Sequence, residues 1–400
     1  MRMSNLRFPQ KSVNPQVDNS PKPPNGIAWG SDLSISLFQS LDTLHLGLFI
    51  KWPNNPLFLD HLDKYQSKAQ EVDKPIPFQI EQSNLFIIHP RGRRGGGYKW
   101  KLSAGDQVLF FSTHDGNGET PNLFIEIGSL SCWSLGYEAV IQAITSFVES
   151  LGGYVFNEKI NRLDMATDIV GLNFNDVNLI DKSRWIKKPQ NFNIHGSGNT
   201  YNSVNIGMGG QYALRMYDKK AEISKKLPKK EFFFNKWGLP LDDIATSVLR
   251  IESQTRKKGL RQFGIVRIKD ISYKLNGLWN YYTTNWFRIA EEPVHRTHQS
   301  KAETDSFWKY VQSIKWSGID EIKRQKLPCL KSEKIFLDMI FGCGLNLAAI
   351  NKIPAHSLDE INRYILYLLE VEFRARRHQD PEDFKRRYET KLAETWGMEF

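Results

Sequence analysis

The chain has 400 residues, 40% hydrophobic and 24% charged, which excludes a disordered or fibrous polypeptide and favours two or three domains. Its net charge of +10 and pI of about 9.2 point to an anionic partner, nucleic acid first, although solvated surface lysines would give the same balance. Three widely spaced cysteines (Cys132, Cys329, Cys343) fit neither a zinc pattern nor a disulfide framework, and no apolar run suits a signal peptide or a membrane span, so a cytosolic protein is expected.

Residues 1–26 are rich in Pro, Asn, Ser and Lys without apolar periodicity, which predicts a disordered tail. Leu41–Trp52 reads as a strand of large apolar residues stopped by Pro53. Strand-like runs follow at Leu85–Ile88, Tyr98–Leu102, Val108–Ser112 and Leu123–Ile127. Between the first two lies Arg91-Gly-Arg-Arg-Gly-Gly-Gly97, either a solvated hairpin loop or a cationic loop whose Arg91, Arg93 and Arg94 drape over phosphates. It lacks the Lys-Ser/Thr ending of a P-loop.

Apolar residues at helical spacing predict a helix over Ser134–Leu151, ended by Gly152-Gly153. Asn161–Asp168 then alternates with period two, so Arg162, Asp164 and Asp168 share one face of a strand. A polar, glycine-rich stretch to Gly210 leads into a short apolar strand at Tyr212–Tyr217 and a strongly basic helix. From Arg215 to Lys236 there are eight cationic residues, among them Lys219, Lys220, Lys225, Lys226, Lys229 and Lys230, against three acids. Val248–Gln254 is a third alternating strand, with Arg250 and Glu252 on one side.

Beyond about residue 270 the pattern is helical, with apolar stripes at Ile335–Ile350 and Leu358–Arg374. Trp279, Tyr281, Tyr282, Trp286 and Phe287 read as core packing rather than a base-stacking platform. The surroundings of Leu345–Ile353 also allow a helix-turn-helix. The expected division is a tail over 1–26, a catalytic region over 27–270 and a helical region over 271–400.

A tyrosine beside grouped carboxylates and lysines points to metal-assisted phosphoryl transfer with a tyrosine nucleophile. Tyr217 has the type and setting for the nucleophile, and Lys219 and Lys220 would lower its pKa and neutralise phosphate. Asp164 and Glu252 could present carboxylates from different strands to a hard cation, Mg2+ or Mn2+. Glu126, an acid inside an apolar strand, is a further ligand candidate. The bland reading of the same residues is a set of ion pairs (Arg162–Asp164, Arg250–Glu252), a turn cap at Asp168 and a packed Tyr217.

Taken in order, Arg162-Leu-Asp164…Asp168, Leu214-Arg-Met-Tyr-Asp-Lys-Lys220 and Leu249-Arg-Ile-Glu252 resemble the signature strings of Rep_trans-type replication initiation factors. These are rolling-circle initiators of plasmids and filamentous phages, with related relaxases of conjugative elements. Leu41–Leu46 and Asn122–Ile127 also look like that family's early strands, so the resemblance covers roughly residues 40–265. It implies an α+β fold with an antiparallel central sheet, flanking helices and a mainly helical C-terminal region. It implies further that Tyr217 attacks one DNA strand at an origin, leaving a 5′-phosphotyrosyl enzyme that later religates the strand.

In that family acids hold the metal, and none of the nine histidines here lies two residues from another. The ligands would be Asp164, then Glu126 and Glu252, with Asp168 and Asp42 in reserve. Arg215, Lys225, Lys226, Lys229 and Lys230, with the arginines of 91–94, would hold DNA phosphates. Origin DNA, a host helicase and a polymerase are the implied partners. Tyr212 is a possible second tyrosine on the opposite strand parity. A conjugative relaxase and a non-catalytic DNA-binding repressor of the same fold are the alternatives.

Overall fold

The computed structural model describes residues 35–53, 57–79, 86–93, 97–114, 120–198, 200–294, 299–325, 333–353, 358–379, 382 and 385–390. The expected tail over 1–26 lies outside them, as do Arg94 and Cys329. The chain divides into two compact units, Met1–Gln325 and Lys326–Phe400.

In chain order the strands are β1 (Ser36–Lys51), β2 (Ile76–Phe78), β3 (Phe86–Ile88), β4 (Trp100–Ala104), β5 (Gln107–Phe111), β6 (Leu123–Ile127), β7 (Tyr154–Val170), β8 (Trp185–Lys187), β9 (Phe192–Ser197), β10 (Thr200–Ile206), β11 (Tyr212–Asp218), β12 (Val248–Arg256) and β13 (Phe287–Ile289). The helices are α1 (Leu57–Glu71), α2 (Ser129–Ser134), α3 (Tyr137–Ser150), α4 (Lys219–Ile223), α5 (Leu227–Trp237), α6 (Lys257–Gln262), α7 (Ile268–Asn280), α8 (Ser306–Ser313), α9 (Glu333–Ile350) and α10 (Leu358–Gln379). Among the described residues, eleven strands form one sheet in the order β2-β3-β4-β5-β6-β1-β7-β12-β11-β10-β9. Every neighbouring pair is antiparallel, so the fold is α+β with flanking helices, as expected.

β1 and β7 are the long central strands. Apolar residues such as Leu44, Leu46, Leu163, Met165 and Ile169 are buried on one side of them, each stabilising the sheet by roughly 1.5–3 kcal/mol. The opposite parity on β7 carries Asp164, Ala166 and Asp168, also fully buried. Buried carboxylates of that kind demand partners, which β7 itself supplies to Asp164 and the neighbouring β12 to Asp168. Register shifts in the β1–β7 ladder fall between Leu41 and Thr43, between His45 and Leu46 and between Phe49 and Ile50. Asp42 is the residue left over at the first, and such a bulge re-aims its side chain.

Several elements depart from the sequence pattern for local reasons. The helix expected over Ser134–Leu151 is α3, which begins only at Tyr137 because Gly136 at φ +82° takes a left-handed backbone that separates it from the short α2. The basic segment after β11 also breaks into α4 and α5, with Pro228 in the first turn of the latter. The glycine-rich stretch before β11 is the β9–β10 hairpin. β13 pairs with β8, a strand that the helical pattern beyond residue 270 conceals. The tryptophans and tyrosines of 279–287 are core, as predicted: Tyr282 is buried and its hydroxyl donates to the Gln254 carbonyl.

In the second unit α9 is continuous through Leu345 to Ile350 and α10 begins only at Leu358. Two long helices stand there in place of the short pair of a helix-turn-helix. Among the described residues no helix is long and apolar enough to cross a membrane.

Candidate functional site

Antiparallel register sets the site. Residues directly opposite one another share a face, so three rows cross β7, β12 and β11. Asp168, Arg250 and Tyr217 form the first, Ala166, Glu252 and Arg215 the second, and Asp164, Gln254 and Ala213 the third. The alternation legible in the sequence becomes one polar surface assembled from segments about 90 residues apart.

The Tyr217 hydroxyl donates to Glu252 Oε2 at 2.8 Å. The other oxygen of Glu252 accepts from Arg215 Nη1 at 3.1 Å, and Arg215 Nη2 donates to Gln254 Oε1 at 3.0 Å. Arg250 is the hub of the neighbouring row. Its Nε and Nη2 fork onto Asp168 at 2.5 and 2.7 Å, and its Nη1 reaches Asp42 Oδ1 at 2.5 Å. Trp237 Nε1 completes the shell of Asp168 at 3.0 Å. The Arg250 guanidinium lies 4.9 Å from the ring centroids of both Trp133 of α2 and Phe233 of α5, which meet edge to face 5.4 Å apart, so both helices cover this end of the polar face. Arg162 forks onto Asp164 from two residues earlier on the same strand.

The electrostatics follow from burial with crowded carboxylates. Burial, with Glu252 and Asp42 nearby, pushes the Asp164 carboxyl up to about 7 in spite of its Arg162 partner. Burial and Asp42 also raise Glu252. Burial would raise Asp42 as well, but Arg250, Lys219 and Lys229 outweigh it and hold that carboxyl below the usual range. Tyr217 is pushed well above the ordinary phenol value by burial and by Glu252. That reverses the lowering expected from its lysines, because the nearest charge on the hydroxyl is a carboxylate.

The predicted residues divide accordingly. Tyr217, Glu252 and Arg215 are in direct contact, and Asp164 lies on the same face within electrostatic reach of Glu252 and Asp42. Asp168 belongs to the Arg250 fork and caps no turn. Glu126, on β6, is separated from β12 by two strands and stands opposite His45, with Arg93 3.6 Å away. Lys219 packs over the Tyr217 ring at 5.7 Å and donates to Glu222. Lys220 points elsewhere, donating to Asp243 and to the Thr246 carbonyl.

Among the proposed DNA contacts, Arg91 is exposed beside Asp73, and Arg93 lies over Phe124 at 4.4 Å. Lys225 is exposed, Lys226 pairs with Glu222, and Lys230 lies over Phe234. Tyr212 is on the apolar side, with its hydroxyl donating to Gln262, and so has no access to this face. Sequence reasoning missed Gln254, whose parity with Arg250 and Glu252 could have found it, and Trp237, for which no pattern exists.

The expected Mg2+ or Mn2+ finds suitable donor chemistry in these carboxylates but not a suitable arrangement. Among the described residues no three acidic, imidazole or thiol groups are placed to hold a metal ion. Asp164, Asp168, Asp42 and Glu252 are each engaged by a guanidinium, and Glu252 by Tyr217 as well.

His45 carries a separate consequence. Burial, then Arg162 and Arg93, lower its imidazole to about 4. The unfolded chain takes up that proton near 6.5, so stability is lost as pH falls from about 6.5 to about 4, by up to about 3 kcal/mol. His45→Gln is expected to flatten urea-midpoint profiles across that window. An unchanged slope would contradict the assignment.

No family model and no curated protein sequence matches the chain. Among solved structures, the rolling circle replication initiator protein from Geobacillus stearothermophilus is similar with a TM-score of 0.41 and 15% identity. The match covers 73% of this chain and 100% of that one, and a likeness so loose carries no argument about activity.

Proposed function

We propose that the chain nicks one strand of DNA through Tyr217, and so starts rolling-circle replication at an origin. The carrying observation is the 2.8 Å hydrogen bond from the Tyr217 hydroxyl to Glu252, on a face lined by arginines. A phenol with a raised pKa is a poor nucleophile until a base removes its proton, and Glu252 is a base already in contact. Its own raised carboxyl narrows the gap between donor and acceptor.

In the proposed step Glu252 takes the phenolic proton and Tyr217 Oη forms a bond to phosphorus. The bond from phosphorus to the 3′ oxygen breaks, and that oxygen takes up a proton. The products are a 5′-phosphotyrosyl chain and a free 3′-OH, which serves a polymerase as primer. Attack by a 3′-OH on the phosphotyrosyl bond reverses the step and religates the strand. Arg215, which holds the other oxygen of Glu252, and Lys219, over the Tyr217 ring, neutralise the phosphate. The net charge of +10 favours the DNA backbone, with binding that weakens steeply as salt rises.

The test is to incubate the chain with supercoiled DNA carrying its cognate origin and Mg2+ or Mn2+, trap the covalent product and map it by mass spectrometry. A nucleotide adduct on the Tyr217 peptide is expected. An adduct on another residue, or tight origin binding with no adduct under any condition, overturns the proposal in favour of another nucleophile or a non-catalytic repressor.

A further inference from the structure

The rows that cross β7, β12 and β11 do not end at Tyr217. Ser203 of β10 stands opposite Tyr217 and His195 of β9 opposite Ser203, while Asn205 faces Arg215 and Asn193 faces Asn205. All four therefore lie on the polar face, and the alternate residues Val204 and Ile206 are buried on the other side. Exposure rises along both rows. Arg250 and Glu252 on β12 are buried, Tyr217, Arg215, Ser203 and Asn205 are half-buried, and His195 and Asn193 on the edge strand β9 are exposed. With α2 and α5 over the Arg250 end, the site opens towards the β9–β10 hairpin, and a DNA strand reaches the Tyr217 hydroxyl across it.

The chemistry of this approach differs from that of the rest of the chain. Residues 192–206 contain no Lys, Arg, Asp or Glu, in a chain that is 24% charged. Among the described residues, no hydrogen bond engages the side chains of Asn193, His195, Ser203 or Asn205. Uncharged amide, hydroxyl and imidazole groups tell bases apart, whereas phosphates are held mainly by cations. The half-buried hydroxyl also favours an unpaired strand, since a duplex is too wide to lower one phosphate to it.

We infer that Asn193, His195, Ser203 and Asn205 form a base-reading subsite that sets the sequence at which the chain cuts, an inference that rests on the nicking role of Tyr217. Neighbouring strands lie about 4.8 Å apart, so β9 stands roughly 10 Å from β11. That span accommodates about two or three nucleotides of a single strand beside the scissile phosphate. The amides of Asn193 and Asn205 each present a donor next to an acceptor, the complement of the paired acceptor and donor on adenine. Arg215 and Lys219 hold the phosphate itself, so charge fixes the strand and the hairpin chooses its register.

The test incubates the full chain and its variants with a randomised single-stranded DNA library and Mg2+, then sequences separately the DNA that is bound and the DNA that is covalently attached. The wild type is expected to show a preference of about tenfold at two or three adjacent positions. Asn193→Ala with Asn205→Ala should reduce it to about twofold, with attachment at Tyr217 retained. Asn193→Asp accepts but cannot donate, so it should shift one position from adenine towards cytosine, an outcome that misfolding cannot produce. Lys225→Ala, by contrast, should weaken all sequences alike. A relaxed or shifted preference in the bound DNA without attachment at Tyr217 removes the nicking role and leaves the base-reading subsite standing. Attachment with a preference that these substitutions do not change, or a wild type with no preference, overturns the inference.

Discussion

Tyr217→Phe is expected to reduce strand cleavage and covalent attachment to background, a loss of roughly 10⁴-fold or more, while DNA binding is retained. Phenylalanine keeps the ring beneath Lys219 and removes only the oxygen that Glu252 holds. Glu252→Gln separates the nucleophile from its base. The amide oxygen still accepts from Tyr217, but it has no charge with which to take the proton, so a loss of about 10²–10⁴-fold is expected. Lys220→Ala should leave the rate within about threefold, a surface-type effect, because its ammonium is occupied by Asp243 and Thr246. Single-turnover nicking with the four proteins checks all three expectations together. Undiminished cleavage by Tyr217→Phe would remove the tyrosine from the chemistry. A Lys220→Ala loss as large as that of Glu252→Gln would mean that its side chain swings from Asp243 to the phosphate.

The central strands and their polar face were legible because a period of two survives folding unchanged. Alternation in Arg162–Asp168 and Arg250–Gln254 placed the charges on one side before any register was known. Pairing partners were not legible, since they depend on which strands become neighbours. Arg250, two residues from Glu252, could have been its ion-pair partner, yet register sets it against Asp168 and Tyr217 and gives Glu252 to Arg215. Asp42 was held only in reserve because a bulge has no alternating signature, although the bulge is what carries its carboxylate to Arg250. The expected effect of the lysines on Tyr217 failed for a related reason. Adjacency in sequence at a strand-to-helix junction says little about distance to the hydroxyl, and Lys219 and Lys220 found other carboxylates.

Arg250→Met is the substitution expected to cost the fold most, about 3–5 kcal/mol in urea unfolding. The guanidinium is 0% exposed, packs against an edge-to-face pair of aromatic rings, and holds Asp168, also 0% exposed, together with Asp42. Methionine fills part of the volume but leaves the fully buried Asp168 without its guanidinium and Asp42 with only Lys219 and Lys229 nearby, and that desolvated charge is the source of the loss. Lysine does little better, because a single ammonium cannot fork onto Asp168, reach Asp42 and pack against Trp133 and Phe233 at once. Removing the stranded charge separates this cause from simple loss of packing. Arg250→Met combined with Asp168→Asn should recover part of the stability, whereas a packing defect would leave the double variant no better than the single one. A single-variant cost below about 1 kcal/mol would show that the pair contributes no more than an exposed ion pair. The row that orients Tyr217 would then owe its rigidity to Trp237, Trp133 and Phe233 rather than to charge.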